Sequence, residues 1–307
     1  MSAGTKVAVD VEGQQVVLSN LEKVLYPEVG FTKGQVLDYY TRIAPVLLSH
    51  LAGRALTRKR YPDGVDKMVF FEKNAPRGTP EWVHTETLPS PGSSKQRETI
   101  DYVIVDDLAT LVWTANLAAL ELHTHMWRVQ KKRVPKGKGQ LAVAGPPDMI
   151  VFDLDPGEPA TIVECCEVAL LLREVMCADG HEPLAKTSGS KGLQLYARAD
   201  GFASSEETSA YAKALAQQFE KSHPDLVVHR MTKALRPGKV LVDWSQNSAA
   251  KTTVSVYSLR ARSRPTVSTP VTWDEVEACR KPGDLVFTSD DVLSRVEEHG
   301  DLFGPLL

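Results

Sequence analysis

The apolar stretch Met149-Ile150-Val151-Phe152 runs directly into Asp153-Leu154-Asp155-Pro156-Gly157, an order that restricts the fold to one bringing charge out at the end of a buried strand. An apolar run this short, stopped by a Pro-Gly turn signal, reads as a strand. Side chains alternate along a strand, so Asp153 and Asp155 project from one face while Phe152 and Leu154 pack the other. Two carboxylates so placed repel each other and resist joint ionisation unless positive charge lies between them. A divalent metal ion is the simplest source of that charge. A second apolar run, Lys239-Val240-Leu241-Val242, exits at Asp243-Trp244. Three carboxylates on neighbouring strands could hold two hard cations, the arrangement that clamps phosphate oxygens during in-line displacement. Asp-x-Asp before Pro-Gly is also good turn chemistry, so other motifs have to decide between the readings.

The 307 residues are 42% hydrophobic, enough to bury a substantial core. No apolar stretch approaches the roughly 20 residues that span a bilayer, and the N-terminus lacks the basic-then-apolar order of a signal peptide. A cytoplasmic protein without membrane association is expected. The cysteines agree: Cys165 and Cys166 are adjacent in a helix-like segment that also holds Cys177, none has zinc-site spacing, and all read as buried thiols. A net charge of -3 argues against a protein that coats DNA non-specifically. Basic residues are nevertheless clustered, at Arg54 to Arg60, Arg128 to Lys138, Arg230 to Lys239 and Lys251 to Arg264. Such runs are most often solvated surface, but these flank candidate phosphate motifs.

Helical spacing runs from Thr32, a plausible cap, to Leu51, with a bend expected at Pro45. Further helices are expected over about Leu108 to Leu122, Thr161 to Ala178 before Gly180, and from the Ser204/Glu207 capping box to about Ser222. Thr272 with Glu275 reads as another capping box. Strands are expected at Gln15 to Leu18, Tyr102 to Val105, Ile150 to Leu154, Leu193 to Ala197, Val240 to Trp244 and Val254 to Leu259. Helices and strands mixed without a regular repeat imply an α+β, or mixed α/β, architecture. Loops are expected at Pro89 to Arg97 and Pro135 to Pro147, neither long enough to be a domain linker, so one compact unit is expected.

Between the aspartate pair and Asp243 lies Lys186-Thr187-Ser188-Gly189-Ser190-Lys191-Gly192, followed by Leu193-Gln194-Leu195-Tyr196. Glycines let backbone approach an anion, hydroxyls and amides donate to its oxygens, and Lys191 supplies a point charge. The run lacks Walker A spacing and enters a strand, and an exposed hairpin turn would use the same residues. Phe70 and Phe71 follow the Arg58-Lys59-Arg60 cluster; in a strand one would face the core while the other could stack on a base. His123 and His125, two residues apart, have the spacing of metal ligands on a strand, but histidines beside an aromatic are more often structural, and no zinc site is expected.

Taken in order, the motifs Asn20-Leu21-Glu22-Lys23-Val24-Leu25-Tyr26-Pro27, Phe70-Phe71-Glu72-Lys73, Phe152-Asp153-Leu154-Asp155-Pro156-Gly157, Thr187 to Gly192, and Val242-Asp243-Trp244-Ser245-Gln246-Asn247 give the chain a family resemblance. It resembles the polymerase domain of bacterial ligase D, in the archaeo-eukaryotic primase superfamily, from about Val16 to Phe303, and is most similar to stand-alone actinobacterial relatives associated with ligase C. The resemblance implies a primase-polymerase fold with central mixed or antiparallel sheets flanked by helices. Residues 1–307 then form one catalytic domain with its core over about 14–303.

The resemblance also implies roles. Asp153, Asp155 and Asp243 would ligate two divalent ions, manganese or magnesium. Ser188, Ser190, Lys191 and Arg260 would hold the triphosphate, His123 would lie near the sugar and phosphates, Gln246 would contact nucleotide, and Arg236 would sit in a loop that helps order the metal site. Asn20, Lys23 and Lys33, with Arg60 nearby, match a pocket for the 5'-phosphate across a gap, and Phe70 and Phe71 match a pair supporting the template. Where the family usually has histidine this chain has Gln194, which can hydrogen-bond but cannot carry charge. The implied activity is two-metal, template-directed filling of short DNA gaps and primer extension from NTPs or dNTPs, with ribonucleotides readily accepted. A monomer acting at the nucleoid with a separate DNA ligase is expected, since Lys59 to Gly64 lacks the K-x-D-G spacing of an adenylation motif. Two alternatives stand beside this reading: a haloacid dehalogenase-type phosphatase with Asp153 as nucleophile and Asp155 as acid/base, and a non-catalytic DNA-end-binding module.

Overall fold

The computed structural model describes residues 6–90, 98–133 and 140–307. Helices α1 (Lys33–Leu51), α2 (Leu108–Asn116), α3 (Ile162–Ala178), α4 (Ser205–Ser222), α5 (Trp273–Ala278) and α6 (Ser289–His299) surround two six-stranded sheets. The α+β class expected from the sequence is the one observed. Caps set the helix starts: Thr32 with Gln35, Thr161 with Glu164 and Thr272 with Glu275 each form a reciprocal capping box. Ser204 caps α4 through its hydroxyl, but Glu207 reaches back to the amide of Ala203, so that box is only half made. Helix α1 runs unbroken through Pro45.

The first sheet orders Val227–Val228, Val240–Asp243, Met149–Pro156, Leu193–Arg198, Leu184–Thr187 and Pro270–Val271. Its neighbours are antiparallel except for the parallel outer pair of Val227–Val228 with Val240–Asp243. Ile150, Phe152 and Leu154 are sealed into a core with Cys165, Val168, Ala169, Leu172, Ala212 and Phe219 of α3 and α4. The opposite face carries Val151 and Tyr196 into a second core built with α1 and α2. Strand alternation therefore forces Asp153 and Asp155 away from α3 and α4, as their spacing required.

The second sheet orders Thr253–Val254, Ala119–Thr124, Ala55–Arg60, Thr99–Ile104 and Thr85–Pro89, with Phe70–Glu72 also paired to Ala55–Arg60. Here the structure departs from the sequence expectation. Helix α2 stops at Asn116, Ala118 takes a φ of 58°, and Ala119–Thr124 is a strand buried along its whole length. Its Leu120-Glu121-Leu122-His123 alternation is too short to interrupt the helical pattern of the apolar residues before it. The stretch expected as a strand from Val254 to Leu259 forms a ladder only at Thr253–Val254, turns through Tyr257 at φ 62°, and keeps a single antiparallel bridge from Leu259 to Val267. Conversely, Gln140–Pro147, expected as loop, pairs antiparallel with Trp127–Arg133. The parts of the expected loops at 91–97 and 135–139 lie outside the described residues. Cys165, Cys166 and Cys279 are buried, but Cys177 is exposed, because it falls on the outer face of α3.

The turn at Tyr257 is tied to the C-terminal segment by Asp301. Its carboxylate accepts from the Tyr257 hydroxyl at 2.7 Å and the Phe303 amide at 3.0 Å, and lies 2.8 Å from His50 Nε2 of α1. Burial alone would raise its pKa, but His50 and the other donors outweigh it and hold the carboxyl below the usual aspartate range. A depressed folded pKa contributes stability that is complete above the unfolded value of about 3.9 and is lost as pH falls through the folded value. Asp301→Asn should therefore cost about 2 kcal/mol at pH 7, with the gap to wild type closing as acid protonates the native aspartate. Urea unfolding at neutral and acid pH measures both.

Candidate active site

Strand register lines up a row of functional side chains across the first sheet. Asp153 stands opposite Asp243 on one side and Gln194 on the other, and Gln194 stands opposite Lys186. Directly opposed residues share a face, and Asp155, two positions beyond Asp153, shares it too. Gln194 Nε2 donates to Asp153 Oδ1 at 2.8 Å. Burial first, then the adjacent Asp155, pushes the Asp153 carboxyl up to about 7, and burial with Asp243 raises Asp155. Asp243 is buried and already engaged: Oδ1 accepts from the Ser245 amide at 3.0 Å and hydroxyl at 2.6 Å, and Oδ2 from Gln246 Nε2 at 2.8 Å.

A cleft of about 460 Å³ opens over this row. His123, Asp153, Asp155, Ser188, Ser190, Lys191, Gln194, Arg236, Gln246 and Arg260 all line it, so most of the expected site residues converge; Asp243, opposite Asp153 on the next strand, is buried and does not line it. Thr252 and Arg262, the latter from the Lys251 to Arg264 basic cluster, also line the cleft and had no site role assigned from the sequence. The Ser188–Gly192 loop is indeed a hairpin turn, joining Leu184–Thr187 to Leu193–Arg198. Ser188 Oγ accepts from the amides of Ser190 and Gly192, and Arg260 donates to the Ser188 carbonyl. Gly189 has a φ of +66°, and a Cβ on Gly192 would sit 2.2 Å from the Leu154 carbonyl oxygen. The loop can hug the carboxylate strand only with glycine there. Lys191 is exposed and pairs with Glu158 at 2.7 Å.

Sequence reasoning missed Glu121. It is 2% exposed, lies 2.9 Å from His123 Nε2 and 3.0 Å from Lys59 Nζ, and is 3.2 Å from Arg260 Nε. Burial works against its charge, but His123, Arg260 and Lys59 together hold the carboxyl far below the usual range. Glu121 therefore aims a histidine and an arginine into the cleft. Its signal, two positions from His123 on one strand face, was lost once the segment read as helix. His125 is buried, stacks on Trp127 at 4.4 Å, and does not line the cleft.

The remaining expected residues lie outside the cleft lining. Phe70 and Phe71 are both exposed, at 42% and 52%, so neither enters the core as alternation had suggested; their short strand lies at the margin of the sheet, bonded only to Ala55–Arg60. Lys23 pairs with Asp63, Arg60 with Glu72, and Lys33 is buried with Nζ 2.6 Å from the Ser19 carbonyl oxygen. Burial, then the nearby charges of Lys23 and Arg60, lower the Lys33 pKa to about 8. Asn20 starts this segment at a φ of 55°.

A model of the LigD primase-polymerase domain matches residues 32–303. The chain belongs to this family. It is 44% identical over 289 residues to the multifunctional non-homologous end joining DNA repair protein LigD of Mycobacterium tuberculosis, covering 94% of this chain and 36% of that protein. It is 43% identical over 293 residues to the LigD of Mycolicibacterium smegmatis, covering 95% and 36%. The chain thus spans little more than a third of these relatives' length. The solved polymerase domain of Mycobacterium tuberculosis Ligase D, in complex with DNA, superposes with a TM-score of 0.87 at 43% identity, covering 95% of this chain and 98% of that one. A LigD primase-polymerase domain is a nucleotidyltransferase, so both the phosphatase and the non-catalytic alternatives fall. Antiparallel pairing on both sides of Asp153 also differs from the parallel α/β sheet that a strand-end phosphatase nucleophile would occupy.

Replacing Glu121 with glutamine would leave His123, Lys59 and Arg260 without their buried anion. Glu121→Gln should cost roughly 3 kcal/mol of stability. A nucleoside triphosphate bound in the cleft would return negative charge to these cations, and should then raise the melting temperature of this variant more than that of wild type. Thermal unfolding with and without ATP checks both effects.

Proposed function

We propose that the chain fills short gaps in DNA and extends primers from nucleoside triphosphates, accepting ribonucleotides readily, with the cleft over Asp153 and Asp155 as its catalytic centre. The observation that carries this reading is the facing of a carboxylate row by Lys191, Arg260, Arg262 and His123 in one cleft, in a chain so similar to a polymerase domain solved with DNA. Among the described residues no cluster of three or more His, Cys, Asp and Glu side chains is drawn together as a finished metal cage. The donor chemistry nevertheless fits hard cations: crowded carboxylate oxygens, with burial and the adjacent Asp155 holding the Asp153 carboxyl above the usual range. Asp153, Asp155 and Asp243 would hold two ions, Mg²⁺ or Mn²⁺. Bound there, they would activate a primer 3'-hydroxyl and offset charge on the leaving pyrophosphate.

The protein's own residues would do the rest. Lys191 turns from Glu158 to the triphosphate at little cost, because an exposed ion pair contributes at most about 1 kcal/mol. Ser188, Ser190 and Arg260 hold the hairpin and its anion, Arg236 and Gln246 border the metal-proximal side, and His123 faces the sugar and phosphates. Gln194 is held inside the site against Asp153. Exposed Phe70 and Phe71 suit stacking on a template base, at roughly 1 to 3 kcal/mol each. Lys23, Lys33 and Arg60, whose charges already press on one another, suit a terminal 5'-phosphate beside Asn20. We place the polymerase on residues 1–307 as one domain, working as a monomer at the nucleoid, in end joining, with sealing left to a separate DNA ligase. No helix among the described residues is long and apolar enough to cross a membrane.

Asp153→Ala and Asp155→Ala should each lower primer extension by roughly 100-fold or more while gapped-DNA binding persists. Extension near the wild-type rate in either would remove the catalytic assignment. Lys23→Ala combined with Lys33→Met should weaken binding to a gap bearing a 5'-phosphate and change binding to the 5'-hydroxyl gap little, because a charge-assisted contact needs its anion. The phosphorylated complex should also lose more affinity with salt. Equal losses on both gaps would make these lysines a general DNA surface.

A further inference from the structure

Lys186 is 1% exposed, and among the described residues it forms no salt bridge. Its ammonium donates instead to Gln194 Oε1, to Ser268 Oγ at 2.7 Å and to the Val254 carbonyl at 3.1 Å. Burying a cation without direct pairing is costly, and desolvation pushes its pKa well down, with Asp153 pulling the other way. The carboxylate that offsets this cost lies one side chain away. Register sets Lys186, Gln194 and Asp153 side by side on successive strands.

An amide between these two charges has only one workable orientation. An ammonium has no acceptor and an ionised carboxylate has no donor. Gln194 must therefore turn its oxygen to Lys186 and its NH₂ to Asp153, the arrangement found at Nε2 and Oδ1. Among the described residues, Asp153 Oδ2 accepts no hydrogen bond and is left to the cleft. A histidine at this position could not accept from Lys186 and donate to Asp153 along the same short span without fixing its tautomer. The glutamine needs no such choice, because its oxygen and its NH₂ are distinct groups and Lys186 sets which way they point.

We infer that Lys186 is a positioning residue for the catalytic carboxylate: acting through Gln194, it locks the amide so that one oxygen of Asp153 is held and the other is presented to the cation site. The inference rests on the polymerase reading of the cleft and assigns Lys186 no contact with nucleotide. Groups that orient a metal-binding side chain typically contribute 10- to 100-fold to metal affinity.

The test is Mn²⁺ binding to the nucleotide-free protein, read from the loss of the free-ion electron paramagnetic resonance signal, for wild type, Lys186→Met, Gln194→Met and the double variant. Each single change should weaken Mn²⁺ binding about tenfold. Because the two side chains act in series, the double variant should be no weaker than the poorer single one. Should Lys186→Met not fold, Gln194→Met carries the test alone, and wild-type Mn²⁺ affinity in that variant overturns the relay. Folded variants whose losses simply add, or a Lys186→Met that binds Mn²⁺ as wild type does, also overturn it. Absence of Mn²⁺ binding by the wild-type protein would instead overturn the metal-site reading of Asp153 and Asp155 on which the relay rests.

Discussion

The rest of this site depends on the repulsion among carboxylates gathered on one face of a buried sheet. Asp153 and Asp243 stand opposite each other across adjacent strands, with Asp155 two residues on. Like charges opposed across a sheet are destabilising, and burial raises the cost. The fold tolerates them because positive charge and donors are brought to the same face from several directions. Gln194 and, behind it, Lys186 come from the same sheet. Ser245 and Gln246 saturate Asp243 from the turn that follows it. The balance is incomplete at Asp153 and Asp155, where charge remains for a cation to neutralise.

The second sheet supplies the complement. Glu121, sealed beneath the cleft, gathers Lys59, His123 and Arg260, so cations that would otherwise scatter into solvent are held facing the carboxylates. Arg260 then bonds the backbone of the Ser188–Gly192 hairpin. Lys186 bonds the carbonyl of Val254, on a strand of the opposite sheet. These cross-links join the two sheets at the cleft itself. Substitution of the buried members should therefore disturb folding and chemistry together, whereas the exposed Lys191 can change partners freely.

Much of the first sheet was legible in the sequence. The alternation of Val151, Asp153 and Asp155 against Ile150, Phe152 and Leu154 required one polar face and one core face, and the helices that cover the core face were readable from Thr161 and Ser204. The second sheet was not, because the short Leu120-Glu121-Leu122-His123 alternation follows an apolar helix with only Leu117 and Ala118 between them. That single ambiguity hid Glu121, whose partner His123 was visible. Phe70 and Phe71 misled for a related reason. Alternation assigns one side chain inward only where a core lies behind the strand, and this short strand has none behind it.

The sequence by itself determined which residues could do chemistry: paired carboxylates at strand spacing, a glycine-rich hairpin with a lysine, and clustered basic runs. Strand periodicity is local, so these features survive without knowledge of the fold. Only the tertiary structure decided the register. Placing Lys186 opposite Gln194, Gln194 opposite Asp153, and Asp153 opposite Asp243 depends on how strands far apart in the chain slide against one another. A shift of one residue would have turned every one of these side chains to the wrong face. Charge in this protein acts across strands, and its arrangement therefore belongs to the pairing of strands and not to any one segment.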